Sequence, residues 1–171
     1  MKMLIECNVE NHLHLIKDDP VRPNLFDADE ARFHGPFRVF AEVDEDSGDV
    51  QAVVCVVLTA FVVTEEDDLL MLANGEFFME TEDGEDVTNA DPTLACPYSI
   101  WSYKKGAGRQ LISSLIEFVT VSFPTVDSVV TMSPKSDSAL KFHTNNGAEM
   151  FSVNEDTINY LYEITEEVVL H

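Results

Sequence analysis

The sequence predicts a single α/β domain in which a mixed, mostly antiparallel sheet is flanked by helices. Three observations carry this prediction. The chain has 171 residues, 45% of them hydrophobic, which is enough to enclose one sizeable core. Its second half alternates strand, loop, helix, strand, helix and strand, after an antiparallel meander. A glycine loop joins one of these strands to a helix, which is where open α/β sheets bind ligands.

The first half of the chain predicts the meander. In chain order, the pattern predicts a strand over 3–6, a loose helix over 8–18, a loop-rich stretch over 20–36, a strand over 37–43 and a long strand over 50–63. Asp19-Pro20 ends the helix, because proline disfavours helical backbone in the residue before it. The acidic segment 44–49 holds Gly48, which is typical of a hairpin turn. The run 50–63 is apolar and too rich in valine for a helix, so it predicts a buried central strand.

The second half predicts alternating strands and helices. The predicted elements are a short helix over 69–72 capped from 64–68, a strand over 95–102, a helix over 106–121, a strand over 128–132, a helix over 136–145, and a hairpin of 149–153 with 158–164. The long helix has an apolar face that includes Leu111, Leu115 and Phe118. Gly147 suits the left-handed residue that ends the next helix. An acidic excursion over 74–91 interrupts the single domain, 1–171.

Composition excludes several classes of function. The net charge of -22 argues against binding DNA or RNA, and leaves open a basic partner or simple solvation. No apolar run reaches the roughly 20 residues of a membrane helix, and the charged start is not a secretory signal. Cys7, Cys55 and Cys96 are odd in number and far apart, which indicates free buried thiols in a reducing compartment. We therefore expect a cytoplasmic protein with no membrane partner, and a homo-oligomer remains open.

The glycine loop concentrates the positive charge of an acidic protein. Residues 39–103 contain sixteen Asp and Glu and no Lys or Arg, and then three of the chain's ten basic residues fall within 104–109. A glycine loop that opens a helix presents free backbone N–H groups and the positive end of the helix dipole. The pattern predicts a site for a polyanion such as a pyrophosphate, formed by Tyr103, Lys104, Lys105, Gly106, Ala107, Gly108 and Arg109.

This loop resembles a motif of the GCN5-related N-acetyltransferases. In that family a strand is followed by a (Gln/Arg)-x-x-Gly-x-(Gly/Ala) loop and a helix, and the string here is Tyr103-Lys104-Lys105-Gly106-Ala107-Gly108. The first position departs from the usual Gln or Arg. The resemblance implies that the amides near 106–109 hold the pyrophosphate of coenzyme A, so coenzyme A or an acyl-CoA is expected as substrate.

A second resemblance, over residues 37–164, is to malonyl-CoA decarboxylase, whose catalytic domain has the same acetyltransferase-like fold. The strings that carry it are Val53 to Thr59, Tyr98-Ser99-Ile100, Phe123-Pro124, Thr131-Met132-Ser133-Pro134, Phe142-His143-Thr144-Asn145-Asn146-Gly147-Ala148 and Asn159-Tyr160-Leu161-Tyr162. The chain departs from that family in a loop two residues shorter and in the Lys135-Ser136-Asp137 that follows Ser133-Pro134. We do not expect the family's N-terminal helical domain within these 171 residues, because they leave no room for it.

The decarboxylase resemblance implies four catalytic-site residues. His143 would supply a proton near neutral pH, Ser133 would be its partner, and Ser99 and Tyr160 would line the same site. Each also has an ordinary interpretation, as a packed core residue, a strand residue or a turn residue before proline. His12 and His14 lack further ligands at convincing spacing, so we expect a solvated helix face and no metal.

Three functions stay open at this point. The first is an acyl-CoA enzyme related to malonyl-CoA decarboxylase, which forms acetyl-CoA and CO2. The second is an acetyltransferase of the same fold, which would move an acetyl group to an amine; the acidic surface would attract a cationic amine or a basic protein acceptor. The third is a binding protein that kept the fold and lost catalysis.

Overall fold

The computed structural model describes residues 1–75 and 91–164. The strands of this part of the chain are β1 (Lys2–Glu6), β2 (Phe37–Asp44), β3 (Val50–Thr59), β4 (Leu94–Ser102), β5 (Ser128–Val130), β6 (Ser133–Pro134), β7 (Glu149–Val153) and β8 (Thr157–Glu163). The α-helices are α1 (Val9–His12), α2 (Glu66–Asn74), α3 (Ala107–Ser122) and α4 (Asp137–Asn145). Short 3₁₀ turns cover Leu13–Asp18 and Asp29–Phe33.

The strands form one mixed sheet, as the sequence predicted. Its order is β1-β2-β3-β4-β5-β8-β6, and β7 pairs with β8. Every strand pairing in the described residues is antiparallel except that of β4 with β5. The two elements on which the fold prediction depended most, the strand over 95–102 and the helix over 106–121, are present as β4 and α3.

Strand β3 is the centre of the core because both of its faces are covered. Val53, Cys55 and Val57 face one hydrophobic layer, and the residues between them face the other. From Gln51 to Thr59 the strand is buried throughout, which is the pattern of a strand sandwiched between two layers. The valine-rich run therefore has the central position that the sequence predicted, although it ends at Thr59 rather than residue 63.

The two faces of the sheet are covered differently. On one face lies α3, which buries Leu111, Ile112, Leu115 and Val119. Each such side chain contributes about 1.5–3 kcal/mol of hydrophobic stabilisation. The other face is covered by irregular chain, including Leu15, Ile16 and Phe26, and by Leu69 of α2. None of the helices in the described ranges has the length and hydropathy needed to cross a bilayer.

Several element boundaries differ from the predictions. The helix expected over 8–18 is a single α-turn followed by a 3₁₀ turn, because its apolar residues are too sparse to bury a helical face. The strand expected over 128–132 ends at Val130. The helix expected over 69–72 runs over Glu66–Asn74 and begins with a capping box. Most of the predicted excursion over 74–91, namely residues 76–90, lies outside the described residues.

The three cysteines are free and buried, as predicted. Burial raises the thiol pKa of Cys55 to about 11, and those of Cys7 and Cys96 to about 12. All three are therefore protonated at neutral pH and act as small apolar core residues.

An opening in the sheet follows the only parallel pairing of the described strands. Strands β4 and β5 pair through just two positions, Leu94 with Ser128 and Ala95 with Val129. Further along, Cys55 pairs with Ser99 and Val56 with Pro97, so Tyr98 is an extra residue that makes a β-bulge in β4. Bulges bend a strand and end its regular pairing. The sheet therefore opens between β4 and the chain that follows β5.

Candidate active site

A cavity of about 290 Å³ fills this opening. Its walls are the part of β4 from Pro97 to Ser102, the chain around Ser133, and side chains of α4 that include Phe142 and His143. Five serines lie on its lining: Ser99, Ser102, Ser133, Ser136 and Ser138. None of the described residues on the lining is Lys, Arg, Asp or Glu, so the cavity offers hydroxyl groups and apolar surface rather than charge.

Ser133 and His143, which the sequence placed in one site, are in contact. Ser133 lies in the short strand β6, held by pairing with β8, and His143 lies in α4, which Ser136 caps by accepting from the Ala139 N–H. The Ser133 Oγ is 3.0 Å from His143 Nε2. Both side chains line the cavity and both are about 95% buried.

Further hydroxyl groups extend this pair in both directions. The Tyr162 hydroxyl is 2.7 Å from His143 Nδ1. On the other side, Thr131 Oγ1 is 2.9 Å from Ser133 Oγ, and it accepts a hydrogen bond from the Tyr160 N–H. Tyr162, His143, Ser133 and Thr131 thus form one buried chain of hydrogen bonds, with hydroxyl groups on both sides of a single imidazole.

The charge state of His143 follows from its burial. Burial lowers its pKa from the ordinary 6.5 to about 4, because the charged imidazolium loses its hydration. Its two hydrogen-bond partners are hydroxyl groups, which compensate a positive charge less than a carboxylate would. At neutral pH His143 is therefore a neutral imidazole.

The other two predicted catalytic residues are placed differently. Ser99 lines the cavity, is 1% exposed, and its hydroxyl has no hydrogen-bond partner among the described residues. Tyr160 instead packs its ring against the His143 ring, with centroids 4.7 Å apart, and its hydroxyl is also unpartnered among those residues. Tyr160 therefore holds the imidazole by stacking, whereas Ser99 lies on the cavity lining with a buried hydroxyl that has no partner among the described residues.

Tyr162 is the site residue that sequence analysis missed. It lies two residues after Tyr160 in the same string, and residues i and i+2 of a strand project to the same face. This alternation was the signal that could have identified it. The periodicity could not show which of the two tyrosines carries the hydroxyl that reaches His143.

The glycine loop leads from β4 into α3 and meets the cavity at Gly108. Gly106 has a φ of 86° and immediately precedes the helix, a left-handed conformation that glycine adopts without strain. Having no side chain, Gly106 offers no capping oxygen to the amides of the first turn. A Cβ at Gly108 would lie 3.4 Å from the Phe142 ring, so glycine keeps this edge of the cavity open.

The side chains of the loop are divided between solvent and protein. Lys104, Lys105 and Arg109 are exposed, and none forms an ion pair with the described residues. Ala107 is buried under the helix. The Tyr103 hydroxyl donates to Asp18 at 2.7 Å and accepts from Trp101 at 3.2 Å. Tyr103 therefore attaches the loop to the N-terminal segment, and three cations remain free to meet an anion.

His12 and His14 are not brought into a metal-binding cluster. The Nδ1 of His12 accepts a hydrogen bond from the Asn8 N–H at 2.9 Å, within the first turn of the chain's first helix. The described ranges 1–75 and 91–164 contain no group of three or more His, Cys, Asp or Glu side chains arranged to hold a metal ion.

Sequence comparisons do not connect the chain to a family. No protein-family model matches it. A search of curated protein sequences finds no match either.

Solved structures do resemble the chain. A malonyl-CoA decarboxylase from Agrobacterium vitis matches with a TM-score of 0.72 at 17% identity, over 99% of this chain and 62% of that one. A putative acetyltransferase of the GNAT family from Desulfovibrio desulfuricans matches with a TM-score of 0.61 at 13% identity, over 95% of this chain and 99% of that one. An aminoglycoside acetyltransferase in complex with coenzyme A and kanamycin matches with a TM-score of 0.61 at 13% identity, over 95% of both chains.

These likenesses concern the fold. The chain spans about three fifths of the length of the Agrobacterium decarboxylase. All three identities are below one quarter, so these likenesses establish the architecture alone. The chain has the fold that malonyl-CoA decarboxylases share with the GCN5-related N-acetyltransferases.

Proposed function

We propose that this protein is an acyl-CoA enzyme that decarboxylates malonyl-CoA to acetyl-CoA and CO2. The observation that carries the proposal is the hydrogen-bonded pair of Ser133 and His143 on the wall of a cavity whose described lining residues carry no charge. The fold shared with malonyl-CoA decarboxylases adds support. So does Ser99 on the lining of the same cavity, because its buried hydroxyl has no partner among the described residues.

Coenzyme A binds at the glycine loop in this proposal. Its pyrophosphate accepts hydrogen bonds from the first-turn amides of α3 and meets Lys104, Lys105 and Arg109, which are exposed and without an ion-pair partner in the described residues. Gly108 lies on both the loop and the cavity lining, so the acyl end of the coenzyme enters the cavity past it. The pyrophosphate is then held by the glycine loop, and the reacting acyl carbon is held by residues of the cavity.

Decarboxylation breaks the bond between the malonyl α-carbon and its carboxylate. CO2 leaves, and the electron pair remains as a thioester enolate. The described residues of the lining provide no cation to stabilise the carboxylate before the reaction, whereas CO2 is neutral. In this proposal the Ser99 hydroxyl, which has no partner among the described residues, turns toward the enolate oxygen and donates a hydrogen bond where negative charge develops.

The enolate carbon then takes a proton from Ser133. In this proposal His143 carries its proton on Nε2. The Tyr162 hydroxyl donates to His143 Nδ1 at 2.7 Å, and His143 Nε2–H donates to Ser133 Oγ at 3.0 Å. As Ser133 gives its proton to carbon, it receives the Nε2 proton, and Nδ1 receives the Tyr162 proton. A solvent proton then enters through Ser133 and passes to Nε2, while Nδ1 returns its proton to Tyr162, so the starting tautomer is restored. The neutral imidazole therefore relays a proton without becoming a stable imidazolium, consistent with its pKa of about 4.

Acetyl transfer from acetyl-CoA to an amine is the second candidate. Two observations favour it: a neutral imidazole at the site can accept a proton from the attacking amine, and the net charge of -22 attracts cationic acceptors. The matching aminoglycoside acetyltransferase, solved with kanamycin, supports the same possibility. A basic protein acceptor would use the same attraction.

One pair of reactions separates the candidates. Incubation with malonyl-CoA and detection of acetyl-CoA by mass spectrometry tests decarboxylation, which releases no free thiol. Incubation with acetyl-CoA and polyamines, aminoglycosides or basic peptides, with a thiol reagent as readout, tests transfer. We expect acetyl-CoA from the first and no thiol from the second. Thiol release alone would favour the transferase, and binding of coenzyme A without either product would indicate a non-catalytic protein.

A further inference from the structure

Arg22 lies behind the point where the sheet opens. It comes from the loop before β2, and it is 7% exposed. Its Nε donates to the Tyr98 carbonyl on β4 at 2.8 Å, and its Nη2 donates to the Met132 carbonyl beyond β5 at 3.0 Å. One planar guanidinium thus joins the two segments whose separation forms the cavity.

The hydrogen bonds of Arg22 continue the sheet where strand pairing stops. The Met132 N–H donates to the Pro97 carbonyl at 2.9 Å, which is a direct bond between the two segments. At the next residues the segments have separated, and Arg22 supplies the donors that the Tyr98 and Met132 carbonyls require. Buried carbonyls need a hydrogen-bond partner. Arg22 therefore allows the two segments to separate without leaving the Tyr98 and Met132 carbonyls unpaired.

Both carbonyls immediately precede residues of the proposed active site. Ser99 follows Tyr98, and Ser133 follows Met132. The two serines lie on the cavity lining, one on each side of the opening. A guanidinium has a rigid fork of donors, so its two hydrogen bonds fix the distance between the peptides that carry these serines.

Arg22 is itself held by a buried network. Asp19 accepts hydrogen bonds from the backbone N–H groups of Val21 and Arg22, and its other oxygen is 2.7 Å from Arg32 Nη1. Arg32 in turn donates to the Arg22 carbonyl at 2.8 Å. Asp19 and Arg32 are also buried, at 3% and 1% exposure. This network fixes the backbone from which Arg22 reaches the opening.

We propose that Arg22 is a positioning residue that sets the separation of Ser99 and Ser133 across the cavity, and its catalytic consequence rests on the proposed decarboxylation. It touches no substrate atom in this proposal. It acts through the two carbonyls, so its loss lowers turnover while substrate binding at the glycine loop persists. Displacing reacting groups by about 1 Å can cost on the order of 100-fold in rate.

The test compares Arg22→Gln with Val39→Ala, a variant with a cavity in the same core layer but away from the opening. Hydrogen exchange is followed at the Met132 amide, together with kcat and KM for malonyl-CoA. We expect Arg22→Gln to speed exchange at Met132 about tenfold or more over Val39→Ala. We also expect it to lower kcat about 10- to 100-fold, with KM changed less than about threefold. Arg22→Lys keeps a buried donor, so its Met132 exchange rate and its kcat should lie between those of the wild type and Arg22→Gln. If Arg22→Gln does not fold, Arg22→Lys is compared with Val39→Ala in its place.

Two results would overturn the inference. One is Met132 exchange in the Arg22 variants no faster than in Val39→Ala. The other is an unchanged kcat in an Arg22 variant whose Met132 amide does exchange faster. A wild-type protein that makes no acetyl-CoA would instead reject the proposed function, and the exchange measurement would still decide whether Arg22 joins the two segments.

Discussion

The glycine loop and the Ser133–His143 pair are built in opposite ways. The loop takes its groups from seven consecutive residues, 103–109, and its cations lie in solvent. The pair joins β6 to α4 and is completed by Tyr162 of β8, and all three side chains are buried and uncharged. One region attracts its ligand by charge, and the other organises hydroxyl groups away from water.

This difference separates binding from chemistry. Exposed cations attract an anion wherever they lie along the loop, so their exact position matters little. Their attraction is screened by salt. Buried hydroxyl groups act only when their spacing is correct, because water cannot replace a lost partner. We therefore expect changes in the loop to alter affinity and changes in the buried pair to alter turnover.

The largest expected effect is on turnover when His143 is removed. In the proposed mechanism His143→Ala breaks the proton relay, so kcat for malonyl-CoA should fall about 10²- to 10⁴-fold. His143→Gln keeps a hydrogen-bonding group of similar reach but cannot relay the proton, and it should be nearly as impaired. Steady-state kinetics on both variants, with the affinity for coenzyme A by calorimetry, provide the measurement.

If the loop alone binds coenzyme A, the affinity for coenzyme A should be unaffected by the loss of His143. We expect both His143 variants to bind coenzyme A within about threefold of the wild type, since the loop lies elsewhere. Full turnover in either variant would make His143 structural and reject the relay.

The next effect is on stability at acidic pH. The folded pKa of His143 is about 4, below its ordinary 6.5. Between these values the unfolded chain binds a proton that the folded protein does not. The free energy of unfolding should therefore be highest above pH 6.5 and should fall by about 3 kcal/mol from this residue alone as the pH falls to 4.

Denaturant unfolding of the wild type and His143→Gln at several pH values isolates this contribution. The variant has no imidazole at this position, so its stability should fall less between pH 6.5 and 4. The many carboxylates titrate in both proteins and cancel in the difference. Parallel pH profiles would show that the imidazole is not held neutral.

The loop gives a smaller effect, on affinity. Replacing Lys104, Lys105 and Arg109 together with Ala should weaken coenzyme A binding about tenfold near physiological salt. Binding should also become less dependent on salt. Calorimetric titrations at two salt concentrations measure both changes, and Lys17→Ala, an exposed cation outside the loop, serves as the control. An unchanged affinity in the triple variant would place the anion site elsewhere.

The smallest effects on kcat are expected at the two tyrosines of β8, and a comparison of their Phe variants distinguishes the roles of the two residues. Tyr162→Phe removes the hydroxyl that contacts His143 Nδ1. A water molecule in its place can still give Nδ1 a proton, so we expect kcat to fall only about three- to tenfold. Tyr160→Phe keeps the ring that stacks on the imidazole and removes a hydroxyl without a partner in the described residues, so its loss should be smaller. The reverse order would restore the assignment made from the sequence.

The same comparison explains what could be predicted from the sequence. The loop and β4–α3 were predictable because their signals are local: glycines, a cluster of Lys and Arg, and an apolar helical face. The contact of Ser133 with His143 was inferred through a family resemblance, since ten residues separate them along the chain. Arg22 and the lowered pKa of His143 could not be predicted, because each depends on packing between distant segments. The alternation in β8 could have identified Tyr162, but not its contact with His143.

The most direct test of the account is to titrate the protein with coenzyme A and with malonyl-CoA while following two NMR signals. These are the backbone amides of Gly108 and Arg109, and the ring nitrogens of His143. The account predicts that both ligands shift the loop amides, and that malonyl-CoA also shifts the His143 ring beyond the effect of coenzyme A. Loop amides unmoved by either ligand, or a His143 ring that does not distinguish the two ligands, would contradict it.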